Sequence, residues 1–221
     1  MITSANNTQV KNIIQLNQKA KARREQGLFV AEGRKMFGEA PKDWISRVYV
    51  TESLTADEFL MKQVMALPEE KREIVADNVF RQMCDTRTPQ GILTVLKKPA
   101  WTVEDILKGD APLVMVLEDL QDPGNAGTIF RTGEGAGVSG VFLTKTCVDI
   151  TNPKVIRSTM GSVYRMPFLY VEDVVSLKAE LEQKGIRTFA AHLKGKNSYD
   201  QEDYQGGTAF LIGNEGNGLT E

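Results

Sequence analysis

Apolar positions in the first third of the chain recur at two different periods. Val10, Ile13, Ile14 and Leu16 fall at helical spacing and predict an amphipathic helix over 8–25, ended by Gly27. "LFVAEG" then predicts a short strand, 33–40 a helix and "SRVYVTE" a strand. "ADEFLMKQVMAL" predicts a helix, "REIVAD" a strand, "NVFRQMCD" a short helix and "QGILTVLK" a strand. This alternation predicts an α/β domain over 1–97. "KKPAWTVEDILKGDAP" interrupts the pattern with two prolines and clustered charges, so 98–110 is expected to be a linker.

The second half, 111–221, reads differently. "LVMVLE" is apolar without alternation, as a parallel strand buried on both faces would be. Helix 124–136, strand "GVFLT", helix 152–163, strand "PFLYVE", helix 173–184 and strands "RTFAAHL" and "GTAFLIG" follow. The expected fold is α/β: a small leading domain, then a parallel sheet with helices on its faces and ligands at the carboxyl ends of its strands. "GAGVSG", residues 135–140, matches G-x-G-x-x-G, but a helix runs into a strand there. The glycines therefore end a helix, and a nicotinamide cofactor is not implied.

Composition narrows the chemistry. Hydrophobic residues make up 41% and charged residues 25%, the balance of a soluble globular protein. No apolar run is long enough to span a bilayer, and the N-terminus lacks a secretion signal, so no membrane partner is expected. Cys84 and Cys147 lack C-x-x-C spacing and read as reduced packing thiols of a cytoplasmic protein. The single histidine, His192, leaves no ligand set for zinc, and no metal is expected; near a strand end it reads as structural. Net charge is −2, yet Lys11, Lys19, Lys21, Arg23, Arg24 and Arg34 cluster near the N-terminus. That basic end suits nucleic acid phosphates; a solvated helix face is the plainer alternative.

Two loops sit at predicted strand ends. In "EDLQDPGNAG", residues 122–125 can turn the chain and start a helix, with Arg131 about two turns along it. The glycines at 127, 133, 135 and 137 leave little bulk. Either something packs against that helix beside Arg131, or the helix is thin for sheet packing and Arg131 reaches solvent. The second loop, "LIGNEGNGLTE", sets Gly213, Gly216 and Gly218 around Asn214 and Glu215, a backbone N–H array suited to a nucleotide-sized ligand.

"LEDLQDPGNAGTIFRTGEGAG" resembles the first signature of the SpoU (TrmH-like) RNA ribose 2′-O-methyltransferases of the SPOUT superfamily, and "FLIGNEGNGLTE" is similar to their second. "VKNIIQLNQKAKARREQGLFVAEGRKMF" and "MCDTRTPQGILTV" resemble the start and end of the RNA-binding domain that often precedes them. The resemblance implies methyl transfer from S-adenosylmethionine to a ribose 2′-hydroxyl, a trefoil-knotted cofactor site and a homodimer. It favours rRNA over tRNA, because such a leading domain more often accompanies ribosomal substrates. By motif position it assigns catalysis to Arg131, Asn125 and Glu215. Cofactor contacts fall to Gly213, Asn214, Gly216 and Gly218, and to Leu193 and Gly195 in the loop after "RTFAAHL". The family's third signature does not follow Glu221, so the resemblance also implies an incomplete knot and weakened cofactor binding in these 221 residues. A non-catalytic RNA-binding protein built on the same scaffold is the alternative. A doubly wound phosphate hydrolase is disfavoured because G-x-x-x-x-G-K-[ST] is absent.

Overall fold

The computed structural model describes residues 1–220; Glu221, which closes the second signature and the expected 111–221 domain, lies outside them. The chain forms two compact units, 1–99 with 149–164, and 100–148 with the remainder.

The first unit carries a mixed sheet in the order β1-β4-β2-β3, from β1 (Leu28–Glu32), β2 (Ile45–Thr51), β3 (Arg72–Val75) and β4 (Ile92–Lys97). β4 is antiparallel to both neighbours, while β2 and β3 are parallel. The amphipathic segment expected over 8–25 is two helices, α1 (Thr8–Gln18) and α2 (Ala20–Gln26), because Lys19 is extended at φ −121°, ψ 112°. Val10, Ile13 and Leu16 on α1 bury against Val30, Tyr49 and Leu93, and against Phe80 and Met83 of α5 (Asp77–Met83). Helices α3 (Arg34–Glu39) and α4 (Glu58–Met65) complete the 1–99 segment.

Residues 149–164 pack within this unit rather than with the strands that flank them in sequence. Their helix α8 (Pro153–Thr159) buries Val155 and Ile156 and contacts β1. It is shorter than the 152–163 expected, since the chain leaves the helix at Met160 with φ +53°. Arg23 of α2 is 4% exposed, and its guanidinium lies 2.8 Å and 2.9 Å from the Asp149 carboxylate while donating to the Leu16 carbonyl at 2.7 Å. The assignment of Arg23 to RNA contact is therefore corrected. A buried cation with all its near partners inside the protein is a structural group.

Thr94, at the centre of β4, pairs with Ala31 on one side and Val48 on the other, and its buried hydroxyl has no hydrogen-bond partner. An orphaned buried hydroxyl costs free energy that an isosteric methyl does not. Thr94→Val is expected to stabilise the fold by about 1 kcal/mol. Chemical denaturation checks this, and a loss of stability would mean the hydroxyl is satisfied.

The second unit is a five-stranded sheet in the order β7-β6-β5-β9-β8, parallel throughout. Its strands are β5 (Leu113–Leu117), β6 (Gly140–Thr144), β7 (Phe168–Val171), β8 (Arg187–Ala190) and β9 (Thr208–Ile212). The segment expected to be a linker contains a helical turn, α6 (Val103–Ile106), whose Ile106 is fully buried with Val114, Phe142 and Leu211. Leu177 and Leu181 of α9 (Val174–Gln183) join that cluster. Elsewhere α7 (Pro123–Gly135) sets Phe130 edge-on to Phe168 at 5.8 Å. As expected from "GAGVSG", α7 ends at Gly135 before β6 starts at Gly140. Among the described residues no helix is long and apolar enough to cross a membrane.

Candidate active site

Parallel pairing of β5 with β9 decides the site. Leu117 stands in register with Ile212, so the loops that follow the two strands leave the sheet side by side. β5 has β6 on its other side: β6 and β7 are laid down on one side of β5, β8 and β9 on the other, and such a reversal is a switch point where α/β sheets open a crevice.

The two loops are tied by hydrogen bonds. Asp119 turns the chain at φ +53°, and its carbonyl accepts from the Asn214 amide at 2.8 Å. The Glu215 carboxylate accepts from the Asp122 N–H at 2.9 Å, the Gln121 N–H at 3.2 Å and the Asn125 amide at 3.3 Å. The Asp122 side chain caps α7 by accepting from the Asn125 N–H at 2.7 Å. Thr220 donates to Glu118 through its N–H and its hydroxyl. Slight burial pushes the Glu215 carboxyl up, but the Asp122, Glu215 and Gln121 N–H groups and the Asn125 amide outweigh it and hold the group below the ordinary glutamate range. Glu215 is thus a carboxylate whose acceptor positions are taken up by donors from both loops.

The second loop closes on itself. Asn214 and Gly218 exchange N–H···O bonds at 2.9 Å, and the Asn214 side-chain oxygen accepts from the N–H groups of Gly216 and Asn217. A Cβ on Gly213 would lie 2.1 Å from the Gly218 carbonyl carbon, so only glycine fits. Cys147 is structural, as expected: its sulfur accepts from the Leu120 N–H and donates to the Leu117 carbonyl, each at 3.3 Å. Burial, then the Glu32 and Asp85 carboxylates, push the Cys84 thiol up.

Beside these loops lies a cleft of about 930 Å³ along the carboxyl ends of the strands. The segment after β5 contributes Glu118 and Asp119, the end of β6 and the turn after it Thr144 to Thr146, and the segment from the end of β7 into α9 Glu172 to Val175. β8 supplies Ala190, His192 and Lys194, and β9 with its loop supplies Leu211, Leu219 and Thr220. Gly213, Asn214, Gly216, Gly218, Leu193 and Gly195, expected to contact the cofactor, are not among the residues that line this cleft; their neighbours are. The four loop residues shape the bend that presents Leu219 and Thr220. Gly195 closes a turn by donating to the His192 carbonyl at 2.9 Å, while the Leu193 side chain is fully exposed. The β6 and β7 contributions went unnoticed in the sequence, although the ends of those predicted strands were the available signal.

Asn125 and Glu215 are brought together; Arg131 is not joined to them. It lies about 9 Å farther along the helix axis and makes no hydrogen bond or ion pair among the described residues. Ala126, Gly127, Phe130 and Gly133 form the buried face of α7. Arg131 shares an exposed stripe with Gly124, Thr128 and Gly135, and a Cβ on Gly135 would meet nothing within 4 Å. Gly133 lets α7 pack against Val138 and Met166, whereas Gly135 has open space around it. Lys11, Lys19, Lys21, Arg24 and Arg34 are exposed, the latter paired with Asp57. No cluster of three or more His, Cys, Asp or Glu residues among the described residues could hold a metal ion.

A five-stranded parallel sheet with two stitched loops at its switch point, preceded in the chain by a small mixed α/β sheet, defines a SPOUT-type methyltransferase fold with a leading substrate-binding domain. Residues 112–221 match the SpoU rRNA methylase family, and residues 7–94 match the MRM3-like substrate binding domain. The chain belongs to the SpoU rRNA methylase family, and with it to the RNA methyltransferases. It is 32% identical to a Synechocystis protein described as an uncharacterised tRNA/rRNA methyltransferase, over 99% of this chain and 80% of that one. Identity is 30% to the Bacillus subtilis 23S rRNA (guanosine(2553)-2′-O)-methyltransferase RlmP, covering 99% and 84%. The crystal structure of an AdoMet-bound rRNA methyltransferase from Sinorhizobium meliloti superposes with a TM-score of 0.84 at 28% identity, covering 99% and 82%.

Proposed function

We propose that this protein transfers the methyl group of S-adenosylmethionine to a ribose 2′-hydroxyl of ribosomal RNA, acting in the cytoplasm as a homodimer. The observation that carries the reading is the joining of the two signature loops by Glu215 beside the strand-end cleft. The cleft suits the cofactor. Its volume lies in the usual range for small-molecule sites, Val174, Val175, Leu211 and Leu219 offer apolar wall to a purine, and Glu118, Asp119, Glu172 and Asp173 offer carboxylates to the cationic groups and hydroxyls. When bound, the cofactor supplies a methyl group already activated by its sulfonium.

A ribose hydroxyl is a poor nucleophile, so alignment and proton removal are the protein's tasks. Asn125 and Glu215 position: they fix the start of α7 against the second loop. Arg131 stays protonated, since a guanidinium pKa exceeds about 12. In this reading it clamps the target phosphate in two-pronged fashion and stabilises negative charge growing on the 2′-oxygen. In this reading the proton leaves to the phosphate or to water. The exposed, small-residue stripe around Arg131 supports a second copy of the chain covering α7.

The test is methyl incorporation from tritiated S-adenosylmethionine into 23S rRNA, 16S rRNA and tRNA, with the product mapped by primer extension. Label in a ribose of rRNA supports the proposal; label only in tRNA or in a base, or RNA binding without label, refutes it. Gly213→Ala is expected to weaken cofactor binding at least tenfold by calorimetry, about 1.4 kcal/mol, with the far-ultraviolet spectrum unchanged. Unchanged affinity would show that the bend does not shape the site.

A further inference from the structure

The sequence singled out "CDTRTPQG", residues 84–91, and the catalytic reading leaves this loop without a task. In the first unit it borders a cleft of about 750 Å³ at the edge where β1, β2 and β3 end and β4 begins. The floor is Phe80 and Leu54, both buried; Thr51, Ser53, Thr88 and Gln90 supply polar groups; Arg34, Arg81 and Arg87 supply charge.

The loop is pinned along its length. The Glu32 carboxylate accepts from the Asp85 N–H at 2.5 Å and the Thr86 hydroxyl at 2.7 Å. The Gln90 side-chain oxygen accepts from the Arg34 N–H at 2.9 Å, and the Gly91 carbonyl from the Thr51 N–H at 2.9 Å. Gly91 sits at φ +79°, where a Cβ would come 2.7 Å from the Thr51 hydroxyl. Charges inside the cleft are partly settled, since Arg34 pairs with Asp57 and Asp77 accepts from Ser53 at 2.6 Å. Arg81 and Arg87 are exposed and make no hydrogen bond or ion pair among the described residues. A fixed backbone that presents two unpartnered guanidinium groups over a hydroxyl-lined cleft is preorganised for an anion.

We propose that this cleft, rather than the helical pair α1–α2, is the principal RNA contact of the first unit. Arg81 and Arg87 hold consecutive phosphodiesters of an unpaired RNA segment, and one splayed nucleotide enters between them. Guanidinium groups serve both needs, since they bind phosphate in two-pronged fashion and stack on bases. The inference rests on the reading of the substrate as RNA. It corrects the emphasis of the charge pattern: Arg23 is buried and Lys21 pairs with Glu25 at 3.7 Å, whereas Arg34 lines this cleft.

The experiment is filter binding of in vitro-transcribed 23S rRNA to the whole protein between 50 and 200 mM salt. The double variants Arg81→Ala/Arg87→Ala and Lys21→Ala/Arg24→Ala are compared with the unaltered protein. The first double variant is expected to weaken RNA binding at least tenfold and to flatten the dependence of log affinity on log salt by about 1.4, two phosphate contacts on a single strand. Its affinity for S-adenosylmethionine and its melting temperature should not change, and the helix variant should lose less than threefold. RNA affinity unchanged in the cleft variant but lost in the helix variant overturns the inference and leaves the methyltransferase reading standing. RNA affinity unchanged while a bound mononucleotide is lost gives the cleft to free nucleotides and also overturns it. No RNA binding or methylation by the unaltered protein removes both readings.

Discussion

Arg131→Ala is expected to abolish methyl transfer while leaving S-adenosylmethionine affinity within about twofold. Arg131 is exposed and without a partner among the described residues, so its loss removes no contact that holds the fold together. Substitutions at such positions usually shift stability by less than about 0.5 kcal/mol. Its work arises only with substrate present, where a fixed cation faces charge growing on the 2′-oxygen. Removing one such electrostatic group costs about 10²–10³ in turnover. Arg131→Lys keeps the charge but loses the planar fork, so it should recover only part of the rate. Single-turnover tritium transfer and calorimetry on the same preparations separate the two effects. Equal losses of turnover and cofactor affinity would sink the role.

Arg23→Ala is the corresponding prediction for stability, and it should cost about 3–5 kcal/mol. Removing one partner leaves the Asp149 carboxylate, about four-fifths shielded, with only its Thr151 donors and no countercharge, beside the Leu16 carbonyl that Arg23 had satisfied. Total stability of a domain is only about 5–15 kcal/mol, so urea midpoints should fall sharply. Arg23→Met fills the volume but leaves the same stranded charge, and it should rescue little. Burial alone would raise the Asp149 carboxyl; the Thr151 hydroxyl, the Arg23 guanidinium and the Thr151 N–H together hold it below the ordinary aspartate value. A depressed folded-state value means that the carboxylate's contribution is complete above the unfolded value, about 3.9. It is lost as pH falls through the lower folded value. The unaltered protein should therefore lose stability steeply below about pH 4, and Arg23→Met should show a shallower acid limb. A drop of less than 1 kcal/mol at pH 7, accompanied by weakened RNA binding, would restore Arg23 to the RNA surface.

Much of the architecture was legible because each segment carries its own period. The unalternating "LVMVLE" gave a strand of a fully parallel sheet, and "DPGNAG" gave a capped helix start, with Asp122 the capping residue. Helical periodicity over 8–25 concealed the break at Lys19, since an extended residue between two helices leaves the apolar spacing almost intact. The stretch over 98–110 reads as a linker, because four helical residues and one buried isoleucine are too few to show a period. Leu193 and Gly195 were placed on the cofactor wall by motif alone. The turn that His192 makes with Lys194 and Gly195 sets His192 and Lys194 along the cleft.

The sequence by itself determined most of the elements, the parallel second sheet, the two glycine-bearing loops and the family, because periodicity, caps and short motifs are local properties of the chain. Tertiary structure alone decided which charges are available. Arg23 and Arg24 are neighbours in sequence, yet one is sealed against Asp149, 126 residues away, and the other faces solvent. It alone decided that Glu215 meets Asn125 and that Arg87 stands over a cleft with Arg81. Burial and partnership depend on which strands pair and in what register, and no charge pattern along a chain encodes that.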